Sequence, residues 1–133
     1  MTLSIGRITG GLLSRIADHV DVIEPVTKFT LKLQDQPVVR HIFNVGLQDW
    51  QPLPNISYDM VWIQWCVGHL TDTQLAKHLQ RCAEVLEPGN GVIIVKENIS
   101  TGADDIFDSR DSSVTRYVTR DNLSKPEAMD HHD

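Results

Sequence analysis

The run at residues 58–72, YDMVWIQWCVGHLTD, ends a short apolar stretch (Met60, Val61, Trp62, Ile63) in Gln64 and Trp65, and reaches His69 just before a helix cap. Polar and aromatic groups therefore crowd the place where a strand stops. Ligands of open α/β sheets bind beyond the carboxyl ends of the strands, so this crowding marks a position for a cofactor or substrate. The same residues also fit a buried strand with two core tryptophans and a surface histidine, and the pattern alone leaves both readings open. A second spacing points the same way. Glu24 follows Gly6 by eighteen residues and closes the run Val20, Asp21, Val22, Ile23. Nucleotide-binding α/β folds place a glycine turn under the ligand and, roughly twenty residues on, an acid that accepts hydrogen bonds from ribose hydroxyls. One glycine with no strand before it is a weak signal, and an N-terminal helix with an exposed glutamate accounts for it equally.

Several elements must position these groups. Ile8, Leu12, Leu13 and Ile16 have helical spacing, Val20, Asp21, Val22 and Ile23 form a strand stopped by Pro25, and Phe29 to Leu33 fits a second helix. Residues 38–45 read as another strand, followed by Gly46, Leu47, Gln48, Asp49, Trp50 and a loop marked by Pro52 and Pro54. Thr71 or Asp72 caps a helix whose Leu75, Leu79, Cys82, Ala83 and Leu86 make one apolar stripe. After Pro88 and Gly89, residues 91–95 (GVIIV) have the continuously apolar character of a parallel strand covered on both faces. The alternation predicts a doubly wound α/β sheet. Residues 100–111 read as a polar loop, 112–118 as one or two helical turns, and the chain divides into a domain at 1–118 and a polar, disordered tail at 119–133. No internal repeat is visible.

With 133 residues, 41% apolar and 23% charged, the chain has the size and composition of one ordinary globular domain. No apolar run nears the roughly 20 residues needed to cross a bilayer, and the N-terminus lacks the pattern of a secretory leader, so no membrane partner is expected. Residues 101–133 carry eight acids against four bases, net −4 of the chain's −6. That excess disfavours a nucleic-acid partner and suits a cationic one. Cys66 and Cys82 form no C-x-x-C pair, which predicts reduced thiols and a cytoplasmic or nuclear location. His131 and His132 lie in the tail without a structured partner, His41 and His78 read as edge or surface residues, and no metal site is expected.

Five segments together carry a resemblance. Ile5, Gly6, Arg7, Ile8, Thr9, then Gly46, Leu47, Gln48, Asp49, then VWIQWCVGHLTD, then Lys96, Glu97, Asn98, and finally residues 108–114 (DSRDSSV) resemble, in order and spacing, the protein α-N-terminal methyltransferases. These class I enzymes use S-adenosyl-L-methionine to methylate the free α-amine of proteins that begin X-Pro-Lys. The likeness extends from about Ile5 to Arg116. It implies a partial doubly wound, Rossmann-like class I methyltransferase sheet, without the family's first strand and C-terminal strands. It further implies cofactor contacts at Gly6, Arg7, Glu24, Leu47, Gln48 and Gln64, with Glu24 on the ribose where the family usually has aspartate. Trp65, Asn98, Asp108 and Ser113 are then substrate-binding, and Asp111 and His69 catalytic. Ser109 and Arg110 replace residues that are usually acidic or apolar, which alters the charge of that loop.

The chemistry asks for these residue types. An α-amine with a pKa of about 7.7 to 8.0 is largely protonated at neutral pH and lacks a free lone pair. Asp111 is the candidate base, His69 a second acceptor, and Asp108 an anchor for the cation. Carboxylates beside an ammonium also raise its pKa, so they attract the substrate while opposing its deprotonation. Alignment must offset this, with Asn98 holding the substrate backbone and Trp65 offering an aromatic face to the cation, worth about 0.5 to 2 kcal/mol. Two other readings stand beside this one. The chain can be a noncatalytic methyltransferase-like fragment that binds a partner, or a nicotinamide-binding oxidoreductase, which leaves the tryptophan, histidine and paired aspartates unexplained.

Overall fold

Strand β1 (Val20–Ile23) is buried at all four positions, and its apolar side chains divide between two apolar clusters. In the computed structural model, which describes residues 8–118, Val20 and Val22 pack with Leu13 and Leu33 on one face, and Ile23 packs with Val61, Ile63, Leu75 and Cys82 on the other. Burying each such side chain stabilises the fold by about 1.5–3 kcal/mol. Leu13 and Leu33 come from helical segments on the first face, Leu75 and Cys82 from a helix on the second. Strand β1 is thus covered from both sides.

The first helix runs through wide π-type turns at Ile8–Leu13 into one α-helical turn, α1 (Ser14–Ile16). Gly10 and Gly11 lie in its wide part, where two residues without Cβ weaken regular α-helical winding. Of the apolar residues expected to face the core there, Leu13 does so, whereas Leu12 and Ile16 are exposed. Helix α2 (Thr27–Thr30) tightens into a 3-10 turn at Leu31–Leu33 before β2 (Val39–Phe43), which pairs in parallel with β1. Strand β3 (Met60–Gln64) pairs in parallel with β4 (Val92–Lys96). The two pairs point the same way. Tyr58, just before β3, hydrogen-bonds Asp21 near the start of β1, and the charge of Glu24 beyond β1 reaches Cys66 beyond β3.

Between β3 and β4 lies α3 (Asp72–Glu84), opened by a reciprocal capping box. Gln74 N–H donates to Thr71 Oγ1 at 3.2 Å, and Thr71 N–H donates to Gln74 Oε1 at 3.0 Å, a feature worth about 1 kcal/mol. Its buried face is Leu75, His78 and Cys82. Ala83, expected on that face, is exposed, and His78, expected at the surface, is fully buried. The helical period explains both, since residue 78 falls between 75 and 82 on one stripe and residue 83 falls beside it. Strand β4 departs from expectation in another way. Val92 and Val95 are exposed, so β4 is not covered on both faces among the described residues.

The largest correction lies at residues 100–118. Instead of a polar loop and helical turns, β5 (Ile106–Asp108) and β6 (Ser113–Thr115) form an antiparallel hairpin. Pairing Phe107 with Val114 and Ile106 with Thr115 favours extended backbone, and the turn is closed by two aspartates. Asp108 accepts from Arg110 N–H at 2.9 Å, Asp111 accepts from Ser113 N–H at 3.0 Å, and Ser112 takes a left-handed φ of 59°. The expected tail at 119–133 lies outside the described residues.

Candidate active site

The carboxyl ends of β1 and β2 carry the groups expected to hold a nucleotide. Glu24, directly after β1, accepts from Val26 N–H through Oε1 at 2.9 Å, and its other carboxylate oxygen has no hydrogen bond among the described residues. Asn44, directly after β2, fixes the local backbone by donating to the Glu24 carbonyl at 2.9 Å and to Thr30 Oγ1 at 3.0 Å. A half-buried carboxylate with a free oxygen at a strand end is equipped to accept hydroxyl hydrogen bonds. Leu47 is buried and Gln48 exposed on the loop that follows. At the end of β3, buried Gln64 accepts from Trp62 Nε1–H at 3.0 Å, which leaves its amide group free to donate. Gly6 and Arg7 lie outside the described residues.

Helix α3 holds the loop at residues 47–50 in place. His78 Nδ1 lies 3.0 Å from the Leu47 carbonyl, and Arg81 Nη1 donates to the carbonyls of Gln48 at 3.3 Å and Trp50 at 3.0 Å. Burial pushes the His78 pKa down, so the ring is neutral, donating through Nδ1–H and presenting Nε2 to Cys82 Sγ at 3.4 Å. Trp50 completes the contact, edge-on to His78 with ring centroids 6.0 Å apart. Neither His78 nor Arg81 was identified as functional from the sequence. Their signal was available in the helical period, which puts positions 78 and 81 on neighbouring faces of α3.

Burial pushes both thiols up to about 12, assisted at Cys66 by the charge of Glu97. They are therefore expected to be inert in the native state. At about pH 8 the folded protein should react with an aromatic disulfide reagent far more slowly than the urea-unfolded chain, which should titrate both thiols promptly. Rapid stoichiometric reaction of the native protein would contradict this burial.

The second half of the site is assembled from three segments. After β3, Trp65 adopts a left-handed φ of 54°, unusual for a bulky residue, and its N–H donates to the Lys96 carbonyl at 3.1 Å. This turns its ring outward, 58% exposed, with Lys96 Nζ 5.4 Å from the ring centroid. The face already accommodates a cation. A 3-10 turn at Val67–His69 follows, with His69 exposed. After β4, Glu97 accepts from Val67 N–H at 3.3 Å and from the N–H of exposed Asn98 at 3.1 Å. The β5–β6 hairpin supplies exposed Asp108 and Asp111 and half-buried Ser113. Hydrogen bonds from Ser113 hold the Asp111 carboxyl below its usual range, with a smaller contribution from nearby His69. Gly68, beside His69, lies against the hairpin, where a Cβ would sit 3.0 Å from the Val114 carbonyl oxygen.

Similarity to known proteins gives the chain its family. Residues 2–125 match the family model described as AdoMet dependent proline di-methyltransferase. The chain belongs to this family. Among curated relatives, alpha N-terminal protein methyltransferase 1 of Schizosaccharomyces pombe is 47% identical over 114 residues, covering 84% of this chain and 51% of the relative. The Homo sapiens N-terminal Xaa-Pro-Lys N-methyltransferase 1 is 43% identical over 117 residues, with coverage of 84% and 51%. The chain spans about half the length of the curated relatives it matches. Among solved structures, a SAM-dependent methyltransferase of Leishmania major superposes with a TM-score of 0.76 at 32% identity, covering 87% of this chain and 48% of that one. DhpI in complex with SAH superposes at 0.62 with 18% identity over 92% of this chain and 62% of its own, which supports the fold alone. The family's Rossmann-like α/β fold is therefore present here in part, with short parallel strand pairs and their strand-end loops.

Proposed function

We propose that this member of the proline di-methyltransferase family catalyses S-adenosylmethionine-dependent methylation of the α-amine of proteins that begin X-Pro-Lys. The single observation that carries the reading is the convergence of Trp65, His69 and the Asp111 hairpin at the carboxyl end of β3, beside Gln64. The names of the curated relatives supply the substrate class. The residues present fit the cofactor: Glu24 with its free carboxylate oxygen suits ribose hydroxyls, Leu47 lends an apolar wall, and Gln48 and Gln64 offer amides. When bound, S-adenosylmethionine supplies an electrophilic methyl on a sulfonium.

The remaining work belongs to the chain. Asp108 and Asp111 attract the substrate cation, the face of Trp65 receives both the ammonium and its methylated products, and Asn98 orients the peptide backbone. Before attack the nitrogen must shed a proton. Asp111 is the candidate acceptor of that proton, and its lowered pKa keeps it ionised, further from the amine's value of about 7.7 to 8.0. Asp111 therefore anchors the cation more strongly than it drives deprotonation, and His69 shares the acceptor role. The proposal extends to a cytoplasmic or nuclear location, for which two cysteines without a disulfide are the support. Among the described residues no helix is long and apolar enough to cross a membrane.

The test is mass spectrometry of an X-Pro-Lys peptide incubated with the folded chain and S-adenosylmethionine. A mass increase in units of one methyl is expected, lost when the peptide's α-amine is acetylated. No increase from a folded sample would overturn the reading in favour of a noncatalytic methyltransferase-like module.

A further inference from the structure

We infer that Arg116 is a positioning residue that latches the separate segments of the substrate channel into one wall; the inference rests on the proposed function. Its side chain is 19% exposed, and its guanidinium satisfies three acceptors beyond its own hairpin. Nε donates to Asp72 Oδ1 at 2.8 Å, Nη1 to the Val67 carbonyl at 3.0 Å and Nη2 to the Leu70 carbonyl at 2.6 Å. The two carbonyls bracket the turn that carries His69, and Asp72 opens α3 immediately after it. The Arg116 backbone carbonyl accepts from Ser100 N–H at 2.8 Å, which ties the segment after β4, where Asn98 stands, to the same residue. Arg116 directly follows β6, so the hairpin bearing Asp108, Asp111 and Ser113 is the third element held.

The geometry selects arginine. Three acceptors in different directions match the rigid planar fork of a guanidinium, whereas an ammonium on a flexible stem cannot engage all of them at these positions. Two of the three are backbone carbonyls, so the contact fixes the path of the 67–70 turn itself. Among the described residues Arg116 makes no hydrogen bond to Glu24, Asn44, Leu47 or Gln48. Loosening it should therefore spread the substrate groups apart while the cofactor half of the site stays in place, because misplacement by about 1 Å is enough to degrade an aligned reaction.

The experiment compares the full chain with Arg116→Gln and Arg116→Lys. Peptide KM is expected to rise on the order of tenfold in both variants, with affinity for S-adenosylhomocysteine by calorimetry unchanged within about twofold. Amide hydrogen exchange should accelerate at residues 67–70 and 106–115 and stay unchanged in β1 and β2. Unaltered peptide KM in Arg116→Gln would overturn the inference, as would full rescue by lysine, or cofactor and peptide affinity falling together with the folded fraction. A wild-type chain inactive on the peptide sinks the proposed function, and the exchange comparison still decides the latch: faster exchange at 67–70 supports it and unchanged exchange refutes it.

Discussion

Replacing Glu24 with alanine is expected to lower affinity for S-adenosylmethionine on the order of a hundredfold or more, because hydrogen bonds to a charged group contribute about 1.5–3 kcal/mol each and a ribose offers two hydroxyls. The side chain stands directly after β1, with Oε1 engaged by Val26 N–H at 2.9 Å. Its backbone is held independently, through Asn44 on its carbonyl and through its own N–H on the Phe43 carbonyl at 3.0 Å. Loss of the carboxylate should therefore remove ligand contacts without dismantling the strand end. Glu24→Asp, which places the acid usual in the family, should retain affinity within about tenfold, while Glu24→Gln should fall between the two by losing the charge and keeping one acceptor. Calorimetric titration of the folded variants checks the order. Equal binding by the alanine variant and the parent would remove Glu24 from the cofactor site.

Asp21→Ala should destabilise the protein by about 3–5 kcal/mol, the usual consequence of breaking a buried ion pair by deleting one partner. That is a large share of the about 5–15 kcal/mol by which a domain of this kind is stable. The carboxylate is fully buried in β1 and has every oxygen occupied. Oδ1 accepts from Arg40 Nε at 3.1 Å and His41 N–H at 3.2 Å, with His41 Nδ1 at 3.1 Å. Oδ2 accepts from Arg40 Nη2 at 3.0 Å and Tyr58 Oη at 2.6 Å. The site joins the two strand pairs, so its loss should open the sheet between β1 and β3. Urea titration should show a lower midpoint with little change in slope.

The same site sets an acid sensitivity. Desolvation pushes the Asp21 pKa up, but the hydrogen bonds from Arg40 and Tyr58 and the charge of Arg40 outweigh it, and the net shift is downward from 3.8. A carboxyl whose pKa is lower folded than unfolded contributes stability that is complete above the unfolded value and disappears as pH falls through the folded one. Stability should thus drop below about pH 4 in the parent and show a shallower acid loss in Asp21→Ala. Parallel acid profiles would assign the sensitivity to other carboxylates.

Local signals carried much of this protein. The alternating apolar runs with proline and glycine breaks were enough to locate β1 through β4 and α3, because periodicity and capping are properties of neighbouring residues. The motif around Gln64, Trp65 and His69, with the DSSV run, identified the family for the same reason, since each segment keeps its own order and spacing. The β5–β6 hairpin escaped because short polar stretches have no period, and pairing of Phe107 with Val114 decides their conformation. Buried His78 and the Asp21 cluster were decided by tertiary contacts: a histidine reads as a surface residue until the Leu47 carbonyl takes its ring N–H in the interior, and nothing local shows that an aspartate within a strand run meets Arg40 and Tyr58. The sequence by itself determined which side chains sit at the strand ends and the chemistry they suit. Only the folded chain decided which elements carry them side by side, because the hydrogen bonds that join β1 to the start of β3, and the residue after the hairpin to the turn at His69, span residues far apart in sequence.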